Sequence, residues 1–200
     1  SGCWPFIKQR PYDIIADPKD SPKSIFISTL NTAPISADFE IVLNEQKNEF
    51  ITGVTALTKL TEGDLNICVE KNHNSFINEI DNVKIHNISG VHPAGNVGVQ
   101  IHHIDPVNSG EKVWVVGAED VALIGKLFLT GEYNPTRTIA VSGPPVKYPQ
   151  YYKTIVGSSL SEIIKDAGID TDLNLRFING DVLTGRSVEK DNYLGFYNNT

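Results

Sequence analysis

The chain has 200 residues, 40% hydrophobic and 20% charged, enough apolar material for a packed core and room for one large domain or two small ones. Its 17 Lys and Arg against 24 Asp and Glu leave a net charge of −7, which argues against a broad nucleic-acid-binding face. No run approaches the roughly 18 apolar residues of a membrane-spanning helix, the start has no basic segment followed by an apolar one, and Cys3 and Cys68 alone cannot build a disulfide framework, which fits a reducing compartment.

Residues 1–23 carry Pro5, Pro11, Pro18 and Pro22 and read as an extended arm, because proline denies the backbone both helix and ladder bonds. Trp4, with Phe6, Arg10 and Tyr12, is expected to anchor this arm on a neighbouring surface. Methionine is absent, position 1 included, and the chain opens inside the Pro-rich stretch, so an internal fragment of a longer protein is expected. Ser24 to Thr29 reads as a buried strand. After the turn Asn31 to Pro34, apolar residues at Phe39, Val42, Leu43, Phe50, Val54 and Leu57 predict one long helix, capped by Ser36 or Asp38. Strands are predicted at 65–69, 83–88 and 113–116, with a helical pattern through Ile101 and Ile104 that Pro106 ends. The next helix opens on Glu119 and Asp120, where the helix dipole favours anions. Its apolar stripe is Val121, Ile124, Leu127 and Phe128, and Gly131 follows its end. A fifth strand is predicted at 138–142. This alternation predicts an α/β domain over 24–148: a Rossmann-like, mostly parallel sheet with flanking helices.

Gly143-Pro144-Pro145 and Tyr148-Pro149 break the pattern and set an expected domain boundary. Residues 149–200 read as a small β-grasp-like domain. A strand spans 151–156, and a helix starts at Ser159 with Glu162 completing a capping box. A strand at 173–178 leads to a tight turn at Asn179-Gly180, and Leu183 to Arg186 returns.

In parallel sheets ligands bind beyond the carboxyl ends of the strands. The candidate ligand or partner surface is therefore Gly90, His92, Pro93, Ala94, Gly95 and Gly98, joining the third strand to its helix, together with Gly117 after the fourth strand. The spacing is Gly-x4-Gly-x2-Gly rather than the dinucleotide fingerprint, and no Gly-Lys-Ser/Thr is present. The segment can serve as a small-molecule or nucleotide-binding turn, a structural turn or a partner surface. No catalytic residue is expected: neither Ser142 nor Ser158-Ser159 sits in a nucleophile elbow, Glu119 and Asp120 are accounted for at a helix start, and Cys68 reads as a small core residue. His86, His92, His102 and His103 fall close together in sequence. His102 and His103 would point about 100° apart on a helix, and no metal site is expected. In the second domain the loops at Gly157-Ser158 and Asn179-Gly180 are expected to meet a ligand or a partner protein, the partner protein ahead of a small molecule, because so short a unit has little room for a pocket of several hundred Å3.

Several segments resemble one family: the A subunit of the Na+-translocating NADH:quinone reductase. They are Ser1-Gly2-x-Trp4, Arg10-Pro11, Ala16-Asp17-Pro18 with Ser24-Ile25-Phe26-Ile27, His92-Pro93-Ala94-Gly95-x-x-Gly98-x-x-Ile101-His102, Asp105-Pro106-Val107, Ile124-Gly125-Lys126-Leu127-Phe128-x-Thr130-Gly131-Glu132, and Gly143-Pro144-x-Val146-Lys147. Val156-Gly157-x-Ser159-Leu160 with Ile178-Asn179-Gly180-Asp181-Val182-Leu183-Thr184-Gly185 resembles the β-grasp (SLBB-type) module of that family. The resemblance spans essentially the whole chain. It implies a peripheral scaffold or docking subunit on the cytoplasmic face of the bacterial inner membrane. The implied partners are the other subunits, above all the membrane-embedded, flavin-carrying one, with a quinone contact. The NADH, FAD, FMN, riboflavin, iron–sulfur and Na+ chemistry of the complex would lie in those other subunits. No cofactor is expected on this chain, since two cysteines cannot replace the four of a cluster.

Overall fold

The structure, a computed structural model, describes residues 2–73, 75–170 and 173–197. It divides into two compact units, Ser1–Thr32 with Asp38–Asn134 and Ala33–Ala37 with Pro135–Thr200.

The first unit contains β1 (Lys8–Arg10), β2 (Ile14–Ile15), β3 (Ser24–Ser28), α1 (Phe39–Asn44), α2 (Lys47–Leu57), β4 (Leu65–Glu70), β5 (Lys84–Ile88), α3 (Val97–Ile104), β6 (Val113–Gly117) and α4 (Ala118–Thr130). The strands form one sheet in the order β2-β1-β6-β3-β4-β5. β6, β3, β4 and β5 are parallel, and β1 and β2 are antiparallel additions at one edge. Successive residues Ile25, Phe26 and Ile27 are all buried, as expected of a strand covered on both faces. The β3-to-β4 and β5-to-β6 crossovers run in opposite directions along the sheet. Right-handed connection therefore places their helices on opposite faces. On the α3 face, Phe26, Leu30, Cys68, Ile101 and Val113 form a buried cluster. α2 and α4 pack against each other, and their backbones approach closely through two glycines. A β-carbon on Gly125 would collide with the Glu49 carbonyl oxygen, and one on Gly53 with the Val121 carbonyl oxygen.

The Pro-rich segment is less detached than its prolines suggest. Lys8, Gln9 and Arg10 pair with Val115, Trp114 and Val113 of β6. Trp4 lies edge-to-face on Trp114 with ring centroids 5.7 Å apart, and its Nε1 donates to the Ala16 carbonyl at 2.7 Å. The anchoring surface is thus this unit's own sheet. The long helix predicted over Phe39 to Leu57 is two helices. Gln46 Nε2 donates to the Val42 carbonyl at 3.1 Å, the acceptor that the Gln46 backbone would use in a continuous helix, while its N–H turns to Leu43. Asp38 caps α1 by accepting from the Glu40 N–H at 2.8 Å. In α4, Val121 and Ile124 are buried, but Phe128 is 68% exposed.

The second unit contains β7 (Thr136–Val141), β8 (Gln150–Ile155), α5 (Leu160–Asp166), β9 (Phe177–Asn179) and β10 (Arg186–Val188). Its strands form two antiparallel pairs, β7 with β8 and β9 with β10, the small β-grasp-like module. Three expectations are corrected here. The strand predicted at 138–142 does not extend the parallel sheet: it pairs antiparallel with β8, while β1 takes the remaining edge of β6. Ser159 precedes α5 without a side-chain cap; its hydroxyl pairs instead with that of Ser161 at 2.7 Å. The β9–β10 hairpin does not turn at Asn179-Gly180 but through residues 180–185. The Asp181 carboxylate accepts from the N–H groups of Leu183 and Thr184 and from the Thr184 hydroxyl, which builds a wider loop than two residues allow.

Because Gly125 has backbone on its open side, Gly125→Ala should cost about 1–3 kcal/mol through overpacking. Urea unfolding followed by circular dichroism should show a lower midpoint with an unchanged slope.

Candidate functional site

The carboxyl ends of β3, β5 and β6 place the predicted surface residues. Residues 89–96 join β5 to α3 in two tight turns, the Ala94 N–H bonding to the Val91 carbonyl and that of Asn96 to the Pro93 carbonyl. Gly90 has φ +146, and the His92–Pro93 peptide is cis. The segment is fastened to the connection after β3. The Gly95 N–H donates to Thr32 Oγ1 at 2.9 Å, and His92 Nδ1 lies 3.4 Å from the same hydroxyl. A β-carbon at Gly95 would sit 2.6 Å from the Thr32 nitrogen. Glycine at 95 is thus required by the chain's own backbone. At Gly98, by contrast, a side chain would meet open space.

Gln100 is the residue that sequence reasoning missed. It is 2% exposed, on a helix whose pattern was read only for its isoleucines. Its Nε2 donates to Ser28 Oγ and to the Ala94 carbonyl, both at 3.1 Å, tying β3 to the candidate loop. Its Oε1 is buried without a hydrogen-bond partner among the described atoms. Asn96 gave the only local hint, as a residue type that opens helices.

Gly117 lies opposite Ser28 in the β3–β6 ladder and precedes the first residue of α4. A β-carbon there would meet Asp120 Oδ2 at 2.6 Å, so Asp120 folds back over the start of its own helix. Glu119 and Asp120 are both buried. Such a helix start is where a phosphate would be favoured. Here the chain's own Asp120 side chain occupies that region.

The histidines lie apart in role. His86 Nε2 pairs with Asn66 Oδ1 at 2.8 Å across neighbouring strands, and burial, then nearby Lys84, pushes its pKa below the ordinary 6.5. His102 and His103 end α3 on exposed positions. Among the described residues, no group of three or more His, Cys, Asp and Glu side chains could hold a metal ion. The thiols do not fit a cluster either. Cys3 and Cys68 are both buried, and burial alone pushes the Cys68 thiol up to about 12, whereas cluster ligation uses thiolates.

In the second unit, the expectation that a short module lacks room for a pocket does not hold. A half-open cavity of about 410 Å3 lies among β7, α5, β9 and β10.

Two family models match the chain in succession: "NqrA second alpha/beta domain" over residues 1–133 and "NQRA C-terminal domain" over residues 138–190. Among curated relatives, the A subunit of the Na(+)-translocating NADH-quinone reductase of Marinomonas sp. (strain MWYL1) is 41% identical over 200 residues, covering 100% of this chain and 44% of the relative. The protein of that name in Histophilus somni (strain 2336) is 39% identical, covering 98% and 44%. That in Rhodopirellula baltica is 35% identical, covering 99% and 43%. The chain thus spans less than half the length of these relatives.

The depressed pKa of His86 has a pH consequence. The unfolded chain takes up this proton near pH 6.5 and the folded chain only below that. The contribution is therefore fully present above pH ~6.5 and is lost as pH falls toward the folded value. Urea midpoints taken at pH ~7.5 and ~5.5 should fall further for the parent chain than for His86→Gln.

Proposed function

The chain belongs to the family of A subunits of the Na+-translocating NADH-quinone reductases, and we propose that it is a scaffold and docking part of such a protein, with a quinone contact and no redox centre of its own. The observation that carries this reading is the match of residues 1–133 and 138–190 to two domains of one family. Three features support it. No helix among the described residues is long and apolar enough to cross a membrane, which suits a peripheral position at the cytoplasmic face of the bacterial inner membrane. Electron transfer through this chain would need a bound centre, and its two thiols, which a cluster would need as thiolates, are buried and shifted upward by that burial. The segment Gly125 to Gly131 carries Phe128 and Leu129 in the last turn of α4, 68% and 55% exposed. Two adjacent large apolar side chains on a helix end suit a surface that another protein covers.

On this reading the electrons pass from NADH through the flavins and iron–sulfur centres of the other subunits, which also move Na+. This chain holds those partners in place, above all the membrane-embedded flavin-carrying one. The full-length protein carrying Phe128→Ser and Leu129→Ser should keep its melting temperature, because both side chains are already in water, yet should be recovered with the membrane complex at least tenfold less well. Undiminished recovery would remove the docking role from this helix end. The purified parent chain should be colourless, and a stoichiometric, tightly bound flavin would overturn the absence of a redox centre.

A further inference from the structure

The cavity of the second unit is not accounted for by packing. It is a half-open cleft of about 410 Å3, within the ~300–1,000 Å3 of small-molecule pockets. Its walls are aliphatic and aromatic: Ile139 and Val141 of β7, Ile163 and Ile164 of α5, Phe177 of β9, and Leu194. An apolar body fits such walls.

Two further observations bear on the occupant. The first is Ile35, which also lines the cavity. Its φ is +55, a left-handed conformation that is a true outlier for a β-branched residue. The Ser142 hydroxyl holds it there by donating to its carbonyl at 2.8 Å, and its side chain stays 52% exposed. Strained residues of this kind, fixed by their surroundings, concentrate at ligand clamps. The second is Arg176. Among the described residues it is the only charged residue at the cavity, its side chain is exposed, and it makes no ion pair with any of them. A guanidinium presents a planar fork of donors that matches a carboxylate with two parallel hydrogen bonds.

We propose that this cavity is a binding site for a soluble alkyl carboxylate, its short chain among the apolar walls, with Ile35 closing over it and its carboxylate on Arg176. The volume is enough for one short alkyl chain. This site is separate from the quinone contact proposed above, and its failure would leave the family membership and the docking role standing.

Decanoate below its micelle concentration, and decan-1-ol as its uncharged counterpart, test the assignment by calorimetry on the 200-residue chain. Decanoate should bind at one equivalent, and decan-1-ol about tenfold more weakly. Arg176→Gln, a change at an exposed side chain, should cost decanoate about tenfold, the scale of one hydrogen bond to a charged group, and leave decan-1-ol unchanged. The methyl resonances of Ile139, Ile163 and Ile164 should shift with the same saturation curve. No binding of decanoate by the parent chain, equal affinity for acid and alcohol, or shifts confined to other methyls would each overturn the proposal.

Discussion

A β-strand has two hydrogen-bonding edges, and each can be used once. β6 gives one edge to β3 in parallel and the other to β1 in the antiparallel sense. This double use constrains the rest of the chain beyond α4. The next strand cannot be added beside β6, and Thr136–Val141 pairs instead with β8 in a second module. The segment that closes the edge is the one whose prolines argue against sheet. Pro5 and Pro11 fall just outside β1, where a missing N–H costs nothing. Trp4 then seals the join by packing on Trp114, whose own Nε1 donates to Gln9 Oε1 at 3.3 Å.

The same economy governs the carboxyl ends of the parallel strands. In a nucleotide-binding sheet these ends present free N–H groups and bare glycines to a phosphate. Here Thr32 takes the Gly95 N–H, Gln100 bridges Ser28 and Ala94, and Asp120 folds over Gly117. The polar groups of the rim are largely spent on holding its connections together. At this rim Gly95 and Gly117 thus lie against Thr32 and Asp120 of the chain itself.

Much of this was legible in the sequence, and the misses have physical causes. The parallel strands announced themselves as short runs of Ile, Val and Phe, and α4 as an apolar stripe closed by Gly131. The break in the α1–α2 helix was not legible, because a Gln side chain competing for a carbonyl leaves no trace in an apolar pattern. Which strands pair is a question of edges, and a one-dimensional pattern does not show that β1 has claimed one. The glycines between His86 and Gly98 were visible, but the reason for Gly95 was not, since it lies in Thr32, 63 residues away along the chain. Gln100 escaped for the same reason. The cavity of the second unit depends on side chains from four elements that have no common spacing.

Residues Ala33–Ala37 belong to the second unit although Thr32 and Asp38, on either side, belong to the first. The chain therefore passes between the units at 32/33, 37/38 and 134/135. Neither unit is a contiguous stretch of gene. A segment cut at the obvious junction would separate Pro34 and Ile35 from the β-grasp-like module they help to line. A recombination event that moved residues 135–200 alone would deliver the second unit without the five residues it takes from the α/β part of the chain.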